Sequence, residues 1–221
     1  HEIPFAHVKR LDGRHFKPSP LDERLKAKGA VYEEVFGHER PRWFARDGVA
    51  QQDHYSFRHT AVDTMVAQEC RAVREAVGIM DISAFTKVEV AGPDAATLLD
   101  RLLPNRLPQQ IGGIGLSHFL HENGRIELET TVVKLDENRF YLVCAAFFET
   151  RLTDYLRQRQ GGADVAITVL STQWSALALQ GPKSRDVLAA CTPAPLDNAS
   201  FKWLSAQEIE IAGHRVWAMR L

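Results

Sequence analysis

One short stretch, Phe85-Thr86-Lys87-Val88-Glu89-Val90-Ala91-Gly92-Pro93-Asp94, carries the pattern of a strand that turns directly into a helix. From Thr86 to Val90 the residues alternate between apolar or small side chains and charged ones, which is the period of a half-buried strand. Gly92-Pro93-Asp94 opens a leucine-rich helix that ends before Pro104, because proline is not tolerated inside a helix. We therefore predict a strand, a turn and a helix.

Downstream of this stretch the pattern continues into a small α+β unit. The predicted elements are strands over 116–120, 125–135, 140–146 and 165–170, and a helix that carries Phe148, Leu152, Tyr155 and Leu156 before Gly161-Gly162. Asn123-Gly124 between the first two strands is a strong hairpin signal. Across residues 85–170 the order is that of a ferredoxin-like β-α-β-β-α-β unit with one extra strand in its middle.

The flanking segments give weaker patterns. Ser19-Pro20 predicts the start of a short helix that ends near Gly29, and the valines of 62–77 predict a longer helix that stops at Gly78. Between them, Trp43, Phe44, Tyr55 and Phe57 indicate an extended linker that docks aromatic side chains onto a larger body. Residues 174–179 are predicted as a strand, and 208–221 as a hairpin that stops at the chain end, which suggests a chain cut short.

A faint internal repeat links two strand-to-helix junctions. Val90-Ala91-Gly92-Pro93-Asp94 and Leu179-Gln180-Gly181-Pro182-Lys183 each run from a strand through Gly-Pro into a helix. The repeat predicts two related half-domains.

Composition excludes several classes of protein. The 221 residues have a formal net charge of -1, so no basic excess favours nucleic acid as a partner. No apolar run is long enough to span a membrane and no signal peptide is visible, so we expect a soluble protein. Cys144 and Cys191 lie among apolar residues and are predicted to be buried free thiols, which indicates a reducing compartment, the cytoplasm or the mitochondrial matrix.

Motifs for metals, phosphates and serine hydrolysis are absent from the sequence. His118 and His121 lie three apart on a predicted strand and point to opposite faces, so we predict no metal site. One polar feature remains. By the period of two, Glu129 shares a strand face with Thr131 and Val133, which is either a solvated outer face or a carboxylate at the floor of a ligand cleft.

Three segments resemble the glycine cleavage T-protein (aminomethyltransferase) family: Val77-Gly78-Ile79-Met80-Asp81-Ile82-Ser83, Val90-Ala91-Gly92-Pro93-Asp94-Ala95 and Leu179-Gln180-Gly181-Pro182-Lys183-Ser184. Upstream, residues 19–44 are similar to a junction found in FAD-dependent dimethylglycine and sarcosine dehydrogenases. The resemblance implies that residues 1–60 are the end of an oxidase module or a linker. It also implies that 61–221 are the N-terminal portion of a T-protein-like folate-binding domain whose C-terminal part is incomplete.

The resemblance also implies a set of site residues. Glu129 takes the place of an aspartate that lies against the reactive nitrogens of tetrahydrofolate in this family, so we expect it to be catalytic. The positions expected to bind the cofactor are Leu116, Thr131, Val133, Cys144 and Arg220. The residues alone leave alternatives open. Leu116 and Val133 could belong either to the core or to the wall of a pocket. Cys144 could be a small buried hydrophobic residue, and Arg220 could be a surface residue.

The function that follows from the resemblance is one-carbon transfer. A flavin module of the parent protein, fused N-terminally and outside this chain, oxidises a methylated amine. This domain then moves the one-carbon unit onto tetrahydrofolate, giving 5,10-methylenetetrahydrofolate. Two alternatives stay open: a tetrahydrofolate-dependent demethylase or methyltransferase without flavin, and a non-catalytic folate-binding domain.

Overall fold

The computed structural model describes residues 17–53 and 56–221. The helices are α1 Asp22–Ala27, α2 Ala61–Glu75, α3 Ala95–Leu102, α4 Glu149–Gln160 and α5 Ser184–Ala189, with a 3-10 turn at Ala146–Phe148. The strands are β1 Ala30–Val35, β2 His38–Phe44, β3 Gly78–Asp81, β4 Thr86–Ala91, β5 Ile114–Leu120, β6 Ile126–Asp136, β7 Arg139–Cys144, β8 Ala166–Val169, β9 Leu177–Gln180, β10 Ser205–Ile211 and β11 His214–Arg220.

The chain divides into two compact units. The first comprises the residues up to Ala84 together with Leu177–Gly181, and the second comprises Phe85–Ala176 and Pro182–Leu221. The predicted boundary near residue 60, between an oxidase module or linker and the folate-binding domain, stays a prediction.

The second unit contains a five-stranded antiparallel sheet with the order β5-β6-β7-β4-β8. In chain order these strands and the helices α3 and α4 run β-α-β-β-β-α-β. The predicted ferredoxin-like unit with one extra strand is therefore confirmed. The extra strand in sequence is β5, and it lies at the edge of the sheet.

Both helices of this unit pack on one face of the sheet. Leu99 of α3 and Leu152 and Leu156 of α4 share a buried core with Val88, Val90, Phe119, Leu128, Val132, Phe140 and Leu142. The opposite face is covered in part by the β10–β11 hairpin, whose Ala206, Trp217 and Met219 pack against Ile114, Val133, Leu135 and Tyr141. The hairpin predicted from the sequence at residues 208–221 thus covers one part of this second face.

The two Gly-Pro junctions each place their glycine at a positive φ. Gly92 follows β4 with φ +142°, and Gly181 follows β9 with φ +117°, a region that favours glycine. A Cβ on Gly92 would lie 2.3 Å from the Asp164 carbonyl oxygen, and one on Gly181 would lie 2.5 Å from that of Ala76. Each glycine allows close approach of another backbone segment, so the faint repeat in sequence is also a repeat in local structure.

The first unit contains a hairpin that the sequence analysis did not predict. β1 pairs with β2, and Trp43 of β2 is buried with Val31 and with Met65 of the predicted helix α2. Trp43 therefore anchors this segment, and its indole nitrogen donates to Asp53 Oδ1 at 3.1 Å. Phe57 is fully exposed within this chain, so its docking onto a larger body stays a prediction. Tyr55 and residues 1–16 lie outside the described residues.

Smaller differences concern a helix start and a cysteine. Helix α1 begins at Asp22, because Ser19 accepts a hydrogen bond from the Leu21 amide at 3.1 Å and so forms a turn ahead of the helix. Cys144 is buried as predicted, but Cys191 is exposed because the neighbouring Thr192 takes the inward position. Within residues 17–53 and 56–221, no helix has the length and apolar character needed to cross a membrane.

Candidate functional site

Four side chains form a patch on the second face of the sheet, which we call the open face: Leu116, His118, Glu129 and Thr131. The register of β5 against β6 pairs Leu116 with Thr131 and His118 with Glu129. Directly paired residues of antiparallel strands lie on the same face. The intervening Phe119 and Leu128 belong to the helix-side core, so the open face points away from both helices.

Glu129 presents its carboxylate to solvent from the middle of a strand. Its side chain is 63% exposed, and its Oε2 lies 3.5 Å from Nε2 of His118, whose side chain is 29% exposed. A carboxylate in this position can accept hydrogen bonds, and it can take up the proton that an N–H group loses when its nitrogen attacks an electrophile. The predicted site carboxylate therefore stands on an accessible surface with an imidazole beside it.

Leu116 and Thr131 add an apolar and a hydroxyl surface next to this carboxylate. Leu116 is 54% exposed, although it lies in a strand, and Thr131 is half-buried. The Leu116 carbonyl oxygen, on the outer edge of β5, accepts a hydrogen bond of 2.7 Å from the Asn105 side chain. The Asn105 side chain therefore fixes the backbone of the residue whose side chain is exposed.

Val133 lies on the same sheet face but under the β10–β11 hairpin. It is fully buried and packs in the cluster that contains Ile114, Leu135 and Ala206. Val133 is thus part of a packed core, and the hairpin above it bounds the open face on that side.

Cys144 and Arg220 are not part of the open face. Cys144 is buried in the helix-side core, and burial raises the pKa of its thiol to about 11. Arg220 lies on β11 opposite Ser205, and its guanidinium donates to the Phe201 carbonyl oxygen. The structure therefore brings Glu129, Leu116, Thr131 and Val133 to one sheet face and places Cys144 on the other and Arg220 on the hairpin.

The sequence analysis missed His118 as a partner of Glu129. An ideal two-residue turn at Asn123-Gly124 would pair residue 118 with residue 129. The structure reaches the same pairing differently, because Leu120 pairs with Ile126 next to the turn and a bulge between Phe119 and Leu120 restores the register. The hairpin dipeptide therefore predicts the pair of His118 and Glu129 but not the bulge. Among the residues that the structure describes, no three His, Cys, Asp or Glu side chains are grouped to hold a metal ion.

A second polar cluster fixes helix α4 to the sheet. The Glu127 side chain is only 7% exposed, and it contacts Arg151 of α4 and His121. The hydrogen bond from Arg151, followed by the charges of Arg151 and His121, holds the pKa of Glu127 below its usual range, against the opposing effect of burial. This carboxylate is occupied by its partners, whereas that of Glu129 is accessible.

Comparison with known proteins gives several relatives that are named as amine dehydrogenases or oxidases. The chain is 32% identical over 222 residues to mitochondrial dimethylglycine dehydrogenase from Mus musculus, covering 99% of this chain and 25% of that protein. It is 29% identical over 209 residues to 4-methylaminobutanoate oxidase (formaldehyde-forming) from Paenarthrobacter nicotinovorans, covering 95% of this chain and 25% of that protein. The chain thus spans about a quarter of the length of these relatives.

A solved structure shares the fold. The glycine cleavage system aminomethyltransferase T from Bartonella henselae superposes with a TM-score of 0.72 at 26% identity, over 88% of this chain and 48% of that one. The model of the GCVT N-terminal domain matches residues 21–221. The resemblance to the T-protein family and to the dimethylglycine dehydrogenases is confirmed, and this is an enzyme-associated domain. The chain belongs to the GCVT N-terminal domain family.

Proposed function

We propose that this chain is the tetrahydrofolate-binding, one-carbon transfer module of a longer FAD-dependent dehydrogenase that acts on a methylated amine of the dimethylglycine or sarcosine type. Its product is 5,10-methylenetetrahydrofolate. The observation that carries the proposal is the accessible Glu129 carboxylate on the open face of a GCVT-family sheet. The names of the relatives, a dimethylglycine dehydrogenase and a methylaminobutanoate oxidase, support the substrate class.

The side chains of the open face offer contacts that suit the N–H-bearing pterin ring system of tetrahydrofolate. Leu116 offers an exposed apolar contact, and Thr131 and Glu129 offer oxygen acceptors on the neighbouring strand. Binding sites for such molecules combine apolar walls with a few placed polar groups. Of the predicted site residues, Leu116, Glu129 and Thr131 make the contacts in this proposal, and Val133 supports the floor from beneath the hairpin. Cys144 acts through packing behind the sheet. Arg220 adds a cation only if its contact with Phe201 opens.

Bound tetrahydrofolate would supply two N–H nitrogens, which bond to the carbon of the iminium that amine oxidation leaves. The bond from that carbon to the substrate nitrogen breaks, and the demethylated amine leaves with one of the two protons released. Glu129 holds a folate N–H by accepting its hydrogen bond and receives the other proton. Leu116 shields one side of the site from water, which otherwise competes for the electrophilic carbon. The protein thus positions the folate nitrogen against the electrophilic carbon and excludes water, and the Glu129 carboxylate accepts one proton.

FAD and the amine-oxidising chemistry belong, in this proposal, to the part of the parent protein that lies N-terminal to this chain. The relatives named as a dehydrogenase and an oxidase favour this arrangement over a flavin-independent demethylase. The mouse relative is named as mitochondrial. We place the parent protein in the cytoplasm, or in the mitochondrial matrix if the source is eukaryotic.

The test is calorimetric titration of tetrahydrofolate into the full-length polypeptide that contains this chain, beside a turnover assay. We expect saturable one-site binding. Glu129→Gln should lower the rate of 5,10-methylenetetrahydrofolate formation by about 10²- to 10⁴-fold, the usual contribution of a general base. Glu210→Gln, an exposed carboxylate on β10, is the matched control and should leave the rate unchanged.

Two outcomes separate the alternatives. Tetrahydrofolate binding with a normal rate in Glu129→Gln would favour the non-catalytic folate-binding domain. A folded protein that does not bind tetrahydrofolate would exclude the proposal.

A further inference from the structure

His118 and Glu129 form a cross-strand pair on an otherwise accessible surface. They are direct partners in the β5–β6 register, with Nε2 of His118 3.5 Å from Oε2 of Glu129. The two side chains differ in their freedom: that of His118 is 29% exposed, and that of Glu129 is 63% exposed. The imidazole is the more enclosed member of the pair, and the carboxylate has more space around it.

The pair matters because of the length of the glutamate side chain. A glutamate has one more rotatable bond than an aspartate, so fixing a free glutamate side chain costs more rotamer entropy than fixing an aspartate. A carboxylate that samples several rotamers meets a bound amine in the right geometry only part of the time. An imidazole nitrogen 3.5 Å away selects the rotamers that bring the carboxylate to it.

We propose that His118 is a positioning residue, which holds the Glu129 carboxylate in the rotamer that faces the folate amine. This inference rests on the proposed function. His118 does not touch the reacting atoms; it acts through Glu129. The contact with His118 restricts the rotamers of Glu129, whose carboxylate would otherwise occupy several positions above the sheet.

A double-mutant cycle in the full-length polypeptide tests this proposal, with whichever of dimethylglycine and sarcosine it oxidises. His118→Leu should lower kcat for 5,10-methylenetetrahydrofolate formation roughly tenfold, since a misplacement of about 1 Å costs up to 10²-fold. The KM for tetrahydrofolate should change less than about twofold, because the substitution leaves in place the contacts that bind the ground state and the transition state equally. His118→Gln keeps a donor near the same position and should recover most of the rate.

The cycle is completed with Glu129→Asp. The shorter carboxylate withdraws from His118, so His118→Leu should cause no further loss in that background, and the two effects should be non-additive. His214→Leu, an exposed histidine at the turn of the β10–β11 hairpin, is the matched control and should keep the normal rate.

Three results would overturn the inference: an equal loss from His118→Leu in both backgrounds, a selective rise in KM, or no recovery in His118→Gln. Failure of the proposed function has a different signature, which is a normal rate in Glu129→Gln or turnover of neither amine. Nuclear magnetic resonance adds a readout that does not depend on activity. The His118 ring signals should move in Glu129→Gln, and unmoved signals would also overturn the pairing.

Discussion

At the residue scale, the carboxylate of Glu127 links strand β6 to helix α4. Its hydrogen bond with Arg151 lowers its pKa in the folded protein, so folding favours the ionised form. This stabilisation is fully present above the unfolded pKa of about 4.3 and is lost as pH falls through the lower folded pKa. Acid should therefore remove the contribution of this contact.

Glu127→Gln should destabilise the protein at pH 7 by about 1 kcal/mol, which corresponds to a melting temperature roughly 2–4 °C lower. The difference between the two proteins should shrink as the pH is lowered below about 4. Thermal unfolding from pH 7 to pH 3 measures this, with Glu210→Gln as an exposed control. A difference that grows in acid would contradict the assigned pKa direction.

Residues of the candidate site differ in how far the sequence predicts them. Alternation along β6 correctly places Glu129, Thr131 and Val133 on one face. The phase of β7 is not readable, because Tyr141 and Val143 on one face are as apolar as Leu142 and Cys144 on the other. Cys144 therefore could not be assigned to a face before the pairing of β7 with its neighbours was known.

At the scale of elements, the β10–β11 hairpin separates a core position from a surface position on the same sheet face. Val133→Ala should lower the free energy of unfolding by about 1–3 kcal/mol, because it leaves a cavity under the hairpin. Leu116→Ala removes an exposed side chain and should change it by less than about 0.5 kcal/mol. Urea denaturation of both variants measures this contrast. Equal losses would mean that Leu116 is also packed.

The Gly-Pro junction after β4 gives a second test at this scale. Gly92→Ala combines a positive φ with a Cβ 2.3 Å from the Asp164 carbonyl oxygen, and should cost more than about 2 kcal/mol. Gly162→Ala is the matched control, since its Cβ would meet nothing within 4 Å and its backbone is not in the left-handed region. Denaturation midpoints of the two variants should differ clearly, and similar midpoints would contradict the assigned strain.

Most elements downstream of residue 60 are predictable because their periodicity and turn residues agree, but the four-residue strand β3, which begins at the predicted helix stop Gly78, was not predicted. The β1–β2 hairpin is not predictable either, and its turn explains why. Phe36 has φ +52° and Gly37 φ +83°, so a phenylalanine takes a position at which asparagine or aspartate normally signals the turn. Pro41 within β2 also argues against a strand, except at a sheet edge, which is where β2 lies.

At the scale of the whole molecule, the chain passes between the two compact units three times. Leu177–Gly181 belongs to the first unit but interrupts the second in sequence. Strand β9 in this segment pairs with β3, which precedes the second unit. Neither unit is therefore a continuous piece of chain.

A fragment that begins at Phe85 should fold less well than residues 17–221, because β9 loses its partner strand β3 and exposes unpaired backbone. Nuclear magnetic resonance spectra and melting curves of the two fragments provide the comparison. Equal melting temperatures would show that the β3–β9 pair adds no stability.

The contact between Asn105 and the Leu116 carbonyl oxygen has a consequence for association between molecules. Strand β5 is an edge of the sheet, and an edge with free backbone acceptors is a template on which another chain can add a strand. The Asn105 amide occupies one such acceptor beside the exposed Leu116 side chain. The exposed Leu116 side chain, which we propose as a contact for the folate, therefore lies on an edge whose backbone acceptor is already occupied, and this obstructs edge-to-edge aggregation at that position.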